Sequence, residues 1–349
     1  MSITLDDSKR TAIGCQLAGI KEVQNLLIAN EEKLMSACSD TEIRDSLGKM
    51  LDDDRKNLGI LDTVIIQYGV RGEAKETVTK MVEETQELMA GSELSLYEKV
   101  SQHELLKHQQ FMSGVLVHKA AQVIGADVEA AIAPLNTLNF ENRAHQEQLK
   151  GVLEVLGVRE LTGQEAQQGL WARVQDAVAA ISGIAGSAVT QTSDKSDMNI
   201  EDVIRMDHNK VDMLFKQIDA TNDPQKIQEY FGQIYKDLSV HSAAEEQVVY
   251  PAVRPFYGDI RELYDEQAEM SVVLEELKAL SPSAPDFANT FKSHIGQLKD
   301  MVTKHVRLEE DTMFAAIRNN CSDQQREQMA TKFKQAKSQL QEQLMAKAS

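Results

Sequence analysis

The sequence predicts an all-α protein made of two tandem helical bundles, and three observations predict it. Apolar residues recur at spacings of three and four along almost the whole chain, as on one face of a helix. Strong helix formers dominate the composition, and only six residues are proline, five of them after residue 223. A length of 349 residues is enough to bury two separate cores.

Helix breakers divide the first half of the chain into six predicted helices. Breaks are expected at five glycines: Gly69, Gly72, Gly91, Gly125 and Gly157. Pro134 is expected to kink or restart the fifth helix, because proline lacks a backbone donor. The six helices are predicted near 8–36, 40–69, 74–90, 94–124, 127–156 and 164–182.

A polar tract without aromatic residues, at 190–197, predicts a linker between two domains. Beyond it, loops that contain asparagine, serine or proline separate five more predicted helices. These helices lie near 200–219, 224–250, 258–280, 285–318 and 322–346. The predicted organisation is an N-terminal bundle at 1–182, a linker at 183–199, a second bundle at 200–320 and a C-terminal helix at 321–349.

Charge and cysteine content limit the partners and the compartment. The chain has 37 basic and 55 acidic residues, a net charge of −18, without a Lys/Arg cluster, so we expect no nucleic-acid partner. Its three cysteines have no C-x-x-C spacing and predict neither disulfides nor a zinc-thiolate site. We see no secretory signal and no apolar stretch long enough for a bilayer, so we expect a cytoplasmic protein without a membrane partner. The sequence leaves open whether the chain forms a homo-oligomer.

The second half repeats one motif of histidine and glutamate. His241 and Glu245 are four residues apart on one predicted helix, and His305 and Glu309 are four apart on another. That spacing places both side chains on one helix face, where they can reach a single metal ion. Each motif continues with a second glutamate and an apolar run, and His208 lies near the start of the first helix of this half.

Together these motifs resemble the hemerythrin-like HHE cation-binding domain over roughly residues 200 to 320. The resemblance implies an antiparallel four-helix bundle with a non-haem di-iron centre, although other divalent metals stay open. It also implies His208, His241 and His305 as terminal ligands, and Glu245 and Glu309 as carboxylates that bridge the two ions. Imidazole suits iron, and a carboxylate has two oxygens with which to bridge.

The third helix of this half departs from the family pattern. Met270 stands where the family has a histidine. Glu266 lies one turn before Met270 on the expected inner face, so we predict Glu266 as the third-helix ligand and Glu269 as the second choice. The alternative is that both acids are solvated.

A carboxylate-rich site of this kind favours the ferric state. The expected ligands are therefore O2, peroxide or NO, in oxygen, iron or oxidative-stress handling rather than reversible oxygen transport. One alternative is a sensory or interaction protein in which the HHE domain acts as a non-catalytic switch. Another is a structural bundle with a vestigial site.

The first half carries a looser set of polar residues on its predicted inner faces. Glu104 pairs with His108, Glu141 pairs with His145, and Asp54 lies on a third helix. The arrangement is similar to ferritin-like carboxylate bundles, although the Glu–His spacing is one residue longer. These residues form either a second metal site or a buried hydrogen-bonded layer that fixes helix register.

Overall fold

A computed structural model describes residues 8–164, 198–280 and 287–348. The described residues form helices without any strand, which confirms the all-α prediction. The predicted helix at 164–182 and nearly all of the predicted linker at 183–199 lie outside the described residues. None of the described helices is long and apolar enough to cross a membrane.

The first half of the chain contains six helices. α1, α2, α4 and α6 form a four-helix bundle, with α3 against its side and the short α5 at one end. Their bounds are α1 Ser8–Ala37, α2 Thr41–Tyr68, α3 Glu76–Ala90, α4 Leu96–Ile124, α5 Ala126–Ile132 and α6 Leu135–Thr162.

Local sequence signals explain where most of these helices begin and end. Asp40 caps α2 by accepting from two backbone N–H groups, and Ser95 forms a capping box with Glu98 at the start of α4. Pro134 restarts the chain as α6, as expected. Gly157 does not break α6; a side chain there would approach the Tyr97 ring to 3.2 Å, so this glycine allows close packing.

The second half repeats the four-helix arrangement and adds a final helix against it. Its main helices are α7, α8, α10 and α11, and α13 packs across α7 and α8. The bounds are α7 Ile200–Ala220, α8 Pro224–Ala244, α9 Tyr250–Val253, α10 Ile260–Ala279, α11 Phe287–Leu308, α12 Phe314–Asn320 and α13 Asp323–Ala348.

Each motif helix of the second half passes into one π-helical turn. These turns cover Glu245–Val249 and Glu309–Met313. The backbone N–H of Tyr250 donates to the carbonyl of Glu245, and that of Phe314 donates to Glu309, five residues back in both cases. Such turns occur often at functional sites, and here both begin at a motif glutamate.

Both four-helix bundles have the same layered core. In each, one apolar cluster lies toward either end, and a buried polar layer lies between them. In the first bundle the clusters include Leu17 and Leu138 at one end and Leu47 and Leu149 at the other. In the second they include residues of α8 and α11 at one end, and Tyr250, Phe314 and Phe333 at the other.

The two bundles meet through buried polar contacts. The Lys210 ammonium of α7 donates to the Gln67 carbonyl at 2.8 Å and to the Tyr68 carbonyl at 3.0 Å, at the end of α2. Gly69 follows with φ 74°, a left-handed conformation that glycine adopts without strain. From α13, Gln341 donates to the Ile66 carbonyl at 3.0 Å. The C-terminal helix thus contacts both halves of the chain.

Candidate metal centre

The polar layer of the second bundle brings residues from α7, α8 and α11 to one point. Four atoms lie within 4.8 Å of one another: one from each of His208, His241, Glu245 and Glu309. His208 Nε2 is 3.2 Å from Glu309 Oε2, and His241 Nε2 is 3.3 Å from Glu245 Oε1. The i, i+4 spacing places His241 beside Glu245, and α7 adds His208 beside Glu309 from a third element.

These four atoms are buried and make no hydrogen bond. Unpaired buried polar atoms are costly, and most such atoms in folded proteins have a partner. A cation at their common point would satisfy two imidazole nitrogens and two carboxylate oxygens at once. The residues present therefore fit a metal ion.

A carboxylate holds the far nitrogen of each histidine in this layer. The Nδ1 contacts are His208 with Glu310 at 2.8 Å, His241 with Asp207 at 2.8 Å, and His305 with Glu266 at 2.9 Å. A proton on Nδ1 leaves Nε2 free to bind a metal and fixes the ring orientation. All three imidazoles therefore direct Nε2 toward the two motif glutamates.

The third helix of the bundle, α10, reaches this layer through Gln267. Gln267 Nε2 donates to Glu245 Oε2 at 2.8 Å and to the Tyr250 hydroxyl at 2.6 Å. The Tyr250 hydroxyl in turn donates to Glu309 Oε1 at 2.9 Å. Sequence reasoning missed both roles. Gln267 lies four residues after Leu263, the first residue of the predicted inner stripe, so the spacing contained a signal for it.

The two acids predicted as third-helix ligands, Glu266 and Glu269, lie outside the group of converging atoms. Glu266 is partly exposed and binds Nδ1 of His305, on the side of the ring away from the converging atoms. Its other oxygen pairs with Lys304 at 2.7 Å. Glu269 is exposed. A shift of one residue is about 100° around a helix, which explains why Gln267 enters the layer instead of its neighbour.

Charges around the layer keep its histidines protonated in the absence of an ion. Burial alone would lower the pKa of His241, but Glu245 and Asp207 raise it to about 10. Burial would likewise lower the pKa of His305, whereas Glu309, Glu245 and Glu266 raise it to about 9. Burial and the nearby Glu309 raise the pKa of Glu245. Metal binding at these nitrogens would therefore release protons.

A lysine from the final helix supports this layer from behind. The Lys337 ammonium pairs with both oxygens of Asp207, at 2.5 Å and 2.6 Å, and Asp207 holds His241. Burial alone would raise the pKa of Asp207, but Lys337 and His241 hold it well below its usual range. Asp207 is therefore a fixed anion that orients the His241 ring.

A small cavity adjoins the converging atoms. Its volume is about 10 Å³, and it is lined by His208, His241 and His305 together with apolar side chains such as Met270 and Val302. That is the space of about one water molecule. The cavity therefore has room for a ligand of only a few atoms.

The first bundle has a polar layer of different construction. Asp54 and His145 are fully buried in it, as predicted, but His108 is exposed and Glu104 is half-buried beside Gln146. The α4 side chains that point inward are His103 and Lys107, because the predicted stripe is one residue out of phase. Lys107 lies among the carboxylates, and the metal-ligand grouping found among the described residues is the one in the second bundle. The ferritin-like interpretation is not supported there.

The fold and the site define a class of protein, and comparison with known proteins agrees. Residues 199–317 match the hemerythrin HHE cation binding domain. This chain therefore carries a hemerythrin-like HHE domain in its second half.

Two relatives are similar in sequence to this chain. A DNA nickase of Nostoc sp. strain PCC 7120 is 62% identical over 351 residues, which cover 100% of this chain and 99% of that protein. An uncharacterized hemerythrin-like protein of Schizosaccharomyces pombe is 24% identical over 139 residues, 40% of this chain and 68% of that protein. No solved structure matches the chain.

The expectation of no nucleic-acid partner is wrong. It depended on the net charge of −18, whereas a relative that matches along the whole chain is named a DNA nickase. Net charge averages over the surface and does not report how charge is distributed on one face.

Proposed function

We propose that this protein cuts one strand of duplex DNA in a reaction that depends on metal held in the second bundle. The observation that carries the proposal is the 62% identity along the whole chain with a protein named DNA nickase. The four unpartnered donors of His208, His241, Glu245 and Glu309 supply the second half of the proposal, because they give the chain a place for a metal ion.

The metal we propose is non-haem iron, as a carboxylate-bridged pair. The donors are imidazole nitrogens and carboxylate oxygens without a thiolate, which suits iron or manganese better than a softer ion. His208, His241 and His305 would be terminal ligands, and Glu245 and Glu309 would bridge. Iron bound there would supply Lewis-acid and redox chemistry toward O2, peroxide or NO.

The small cavity supports reaction with a small molecule as a second function of the same site. The space beside His208 and His305 is that of about one water molecule, so the reactant that we propose there is a small one, O2, peroxide or NO, and not a DNA phosphodiester. We therefore propose that DNA contacts the outside of the protein, and that a small oxidant reaches the metal. Within the site, Tyr250 and Gln267 hold the bridging carboxylates in place.

The test is conversion of supercoiled plasmid to open circles by the full-length protein. Protein loaded with ferrous iron, which supplies the electrons that reduce O2, should nick in air, and removal of iron or of oxygen should stop the reaction. Glu309→Gln should lose both bound iron and nicking, while Glu269→Gln, an exposed acid on α10, serves as the matched control. Undiminished nicking by Glu309→Gln or by iron-free protein would contradict the proposal. Nicking by iron-loaded protein without oxygen would contradict the role of a small oxidant but not the dependence of nicking on the metal.

The sensory interpretation predicts a different result from the same samples. It requires iron to bind without plasmid cleavage, with a change in the contact between the two bundles. Hydrogen exchange at the end of α2, measured with and without iron, would detect that change.

A further inference from the structure

The polar layer of the first bundle has the composition of a metal site. One donor comes from each of the four helices: Glu31 on α1, Asp54 on α2, His103 on α4 and His145 on α6. All four side chains are buried. Two carboxylates and two imidazoles from four helices is a ligand set that iron, zinc and cobalt accept in helical bundles.

The Lys107 ammonium lies where these helices converge. It is 3.1 Å from Glu31 Oε1 and 3.0 Å from His145 Nδ1, and it contacts Asp54 Oδ2 closely. An ammonium has three protons to donate, and here they face three different helices. The Lys107 side chain is completely buried, so this position is deep in the bundle and does not contact solvent.

This layer contains two carboxylates, Glu31 and Asp54, that contact a single lysine. Burial alone would raise the pKa of Glu31, but Lys107 and His103 lower it to about 2. Burial alone would lower the pKa of Lys107, but Asp54 and Glu31 raise it above its usual range. Glu31 Oε2 and Asp54 Oδ1 make no hydrogen bond, so each carboxylate that contacts Lys107 keeps a second oxygen without a partner. His103 contacts Glu31 through Nε2 and has no partner at Nδ1.

We propose that the first bundle is a metal-binding shell in which the Lys107 ammonium holds the position of the ion, so that its removal opens a second transition-metal site. The ammonium supplies positive charge to the two carboxylates without coordination. Donor atoms now about 3 Å from the nitrogen would move inward by about 1 Å to reach metal distances of about 2.1 Å. Substitution of Lys107 by alanine would leave the space for that movement.

Cobalt(II) binding by the full-length protein tests this proposal. Lys107→Ala should bind about one more cobalt per chain than the wild-type protein, whatever the second bundle holds. Cobalt should also raise its thermal midpoint by more than that of the wild type. Adding His145→Ala to Lys107→Ala should abolish the extra equivalent. Lys107→Met is the matched control, because it removes the charge but fills the space, and it should gain no metal.

Two results would overturn the proposal. One is a Lys107→Ala protein that binds the same cobalt as the wild type. The other is a wild-type protein that loses one cobalt on Glu31→Gln, because an ion would then already share this layer with Lys107.

Misfolding of Lys107→Ala does not leave the question open. The variant should fold when cobalt is present, since the ion replaces the ammonium. If it does not, Asp54→Asn in the same chain reduces the uncompensated charge and keeps three donors. Failure of both variants to fold or to bind cobalt contradicts the proposal.

Discussion

The two bundles contain similar layers of histidines and carboxylates, yet a lysine lies in a different place in each. In the first bundle the Lys107 ammonium is inside the layer and contacts the carboxylates directly. In the second, the Lys337 ammonium lies behind Asp207, and His241 Nε2 and Glu245 Oε1 face each other at 3.3 Å with no lysine between them. The position of one cation, rather than the number of histidines, distinguishes a structural layer from a candidate metal centre.

Removal of the central lysine should have the largest effect on stability. Lys107→Met leaves Glu31 and Asp54 buried without their cation, a change that typically costs about 3–5 kcal/mol. Urea denaturation would measure the loss. The control is Lys80→Met, which removes an exposed helical pair with Glu76 and should change stability by less than about 0.5 kcal/mol. Equal costs for the two variants would mean that Lys107 does not neutralise the layer.

Acid titration should distinguish Glu31, buried in the polar layer of the first bundle, from an exposed glutamate. Glu31 faces Lys107, His103, His145 and Asp54, and its pKa is about 2 against an ordinary value of 4.5. A lowered carboxyl pKa stabilises the fold above the unfolded value, and the effect disappears as pH falls through the folded value. Glu31→Gln should therefore be less stable than the wild type at pH 7, on the order of 3 kcal/mol.

That difference should shrink steadily between about pH 4.5 and pH 2. Chemical denaturation at a series of pH values would follow it. Glu84→Gln, an exposed acid on α3, should show no such trend. A gap between wild type and Glu31→Gln that stays constant with pH would contradict the role given to Glu31.

Loss of the lysine behind the second layer should weaken metal binding without abolishing it. Lys337→Met removes the partner of Asp207, which orients His241. Removal of comparable supporting contacts typically weakens metal affinity 10- to 100-fold. Competition with a chromophoric chelator would measure the change. Lys332→Met, exposed on the same helix, is the control; unchanged affinity in Lys337→Met would show that α13 plays no part in the site.

The smallest effect on stability should come from substitution of His108, which the sequence predicted on the inner face of α4. His108 is exposed on α4, so His108→Ala should change stability by less than about 0.5 kcal/mol. His103→Ala removes a buried partner of Glu31 and should cost about 1–3 kcal/mol. Thermal or urea unfolding of the two variants would check which face of α4 points into the bundle. The reverse order of the two effects would contradict it.

The sequence predicted most helices and both His–Glu pairs because these depend on local spacing. His241 with Glu245, and His305 with Glu309, remain on one face wherever the helices pack. It was harder to predict which residue of each helix faces inward, because successive residues point about 100° apart around the helix axis. That is why Glu266 was preferred to Gln267, and His108 to His103. Lys107 gave no signal, since a lysine on an apolar stripe usually extends to solvent.

The π-helical turns at Glu245–Val249 and Glu309–Met313 are the places where this site can tolerate the loss of a residue. Each turn contains one residue more than an α-helical turn and absorbs it, so the Tyr250 hydroxyl lies 3.3 Å from Glu245 although the two residues are five apart. Deletion of one residue between them would leave Tyr250 four residues after Glu245 on a regular helix, on the same face. A deletion elsewhere in these helices would instead rotate everything after it by about 100°. Among descendants of this chain, a change in length is therefore expected at these two turns before it is expected in the helices around them.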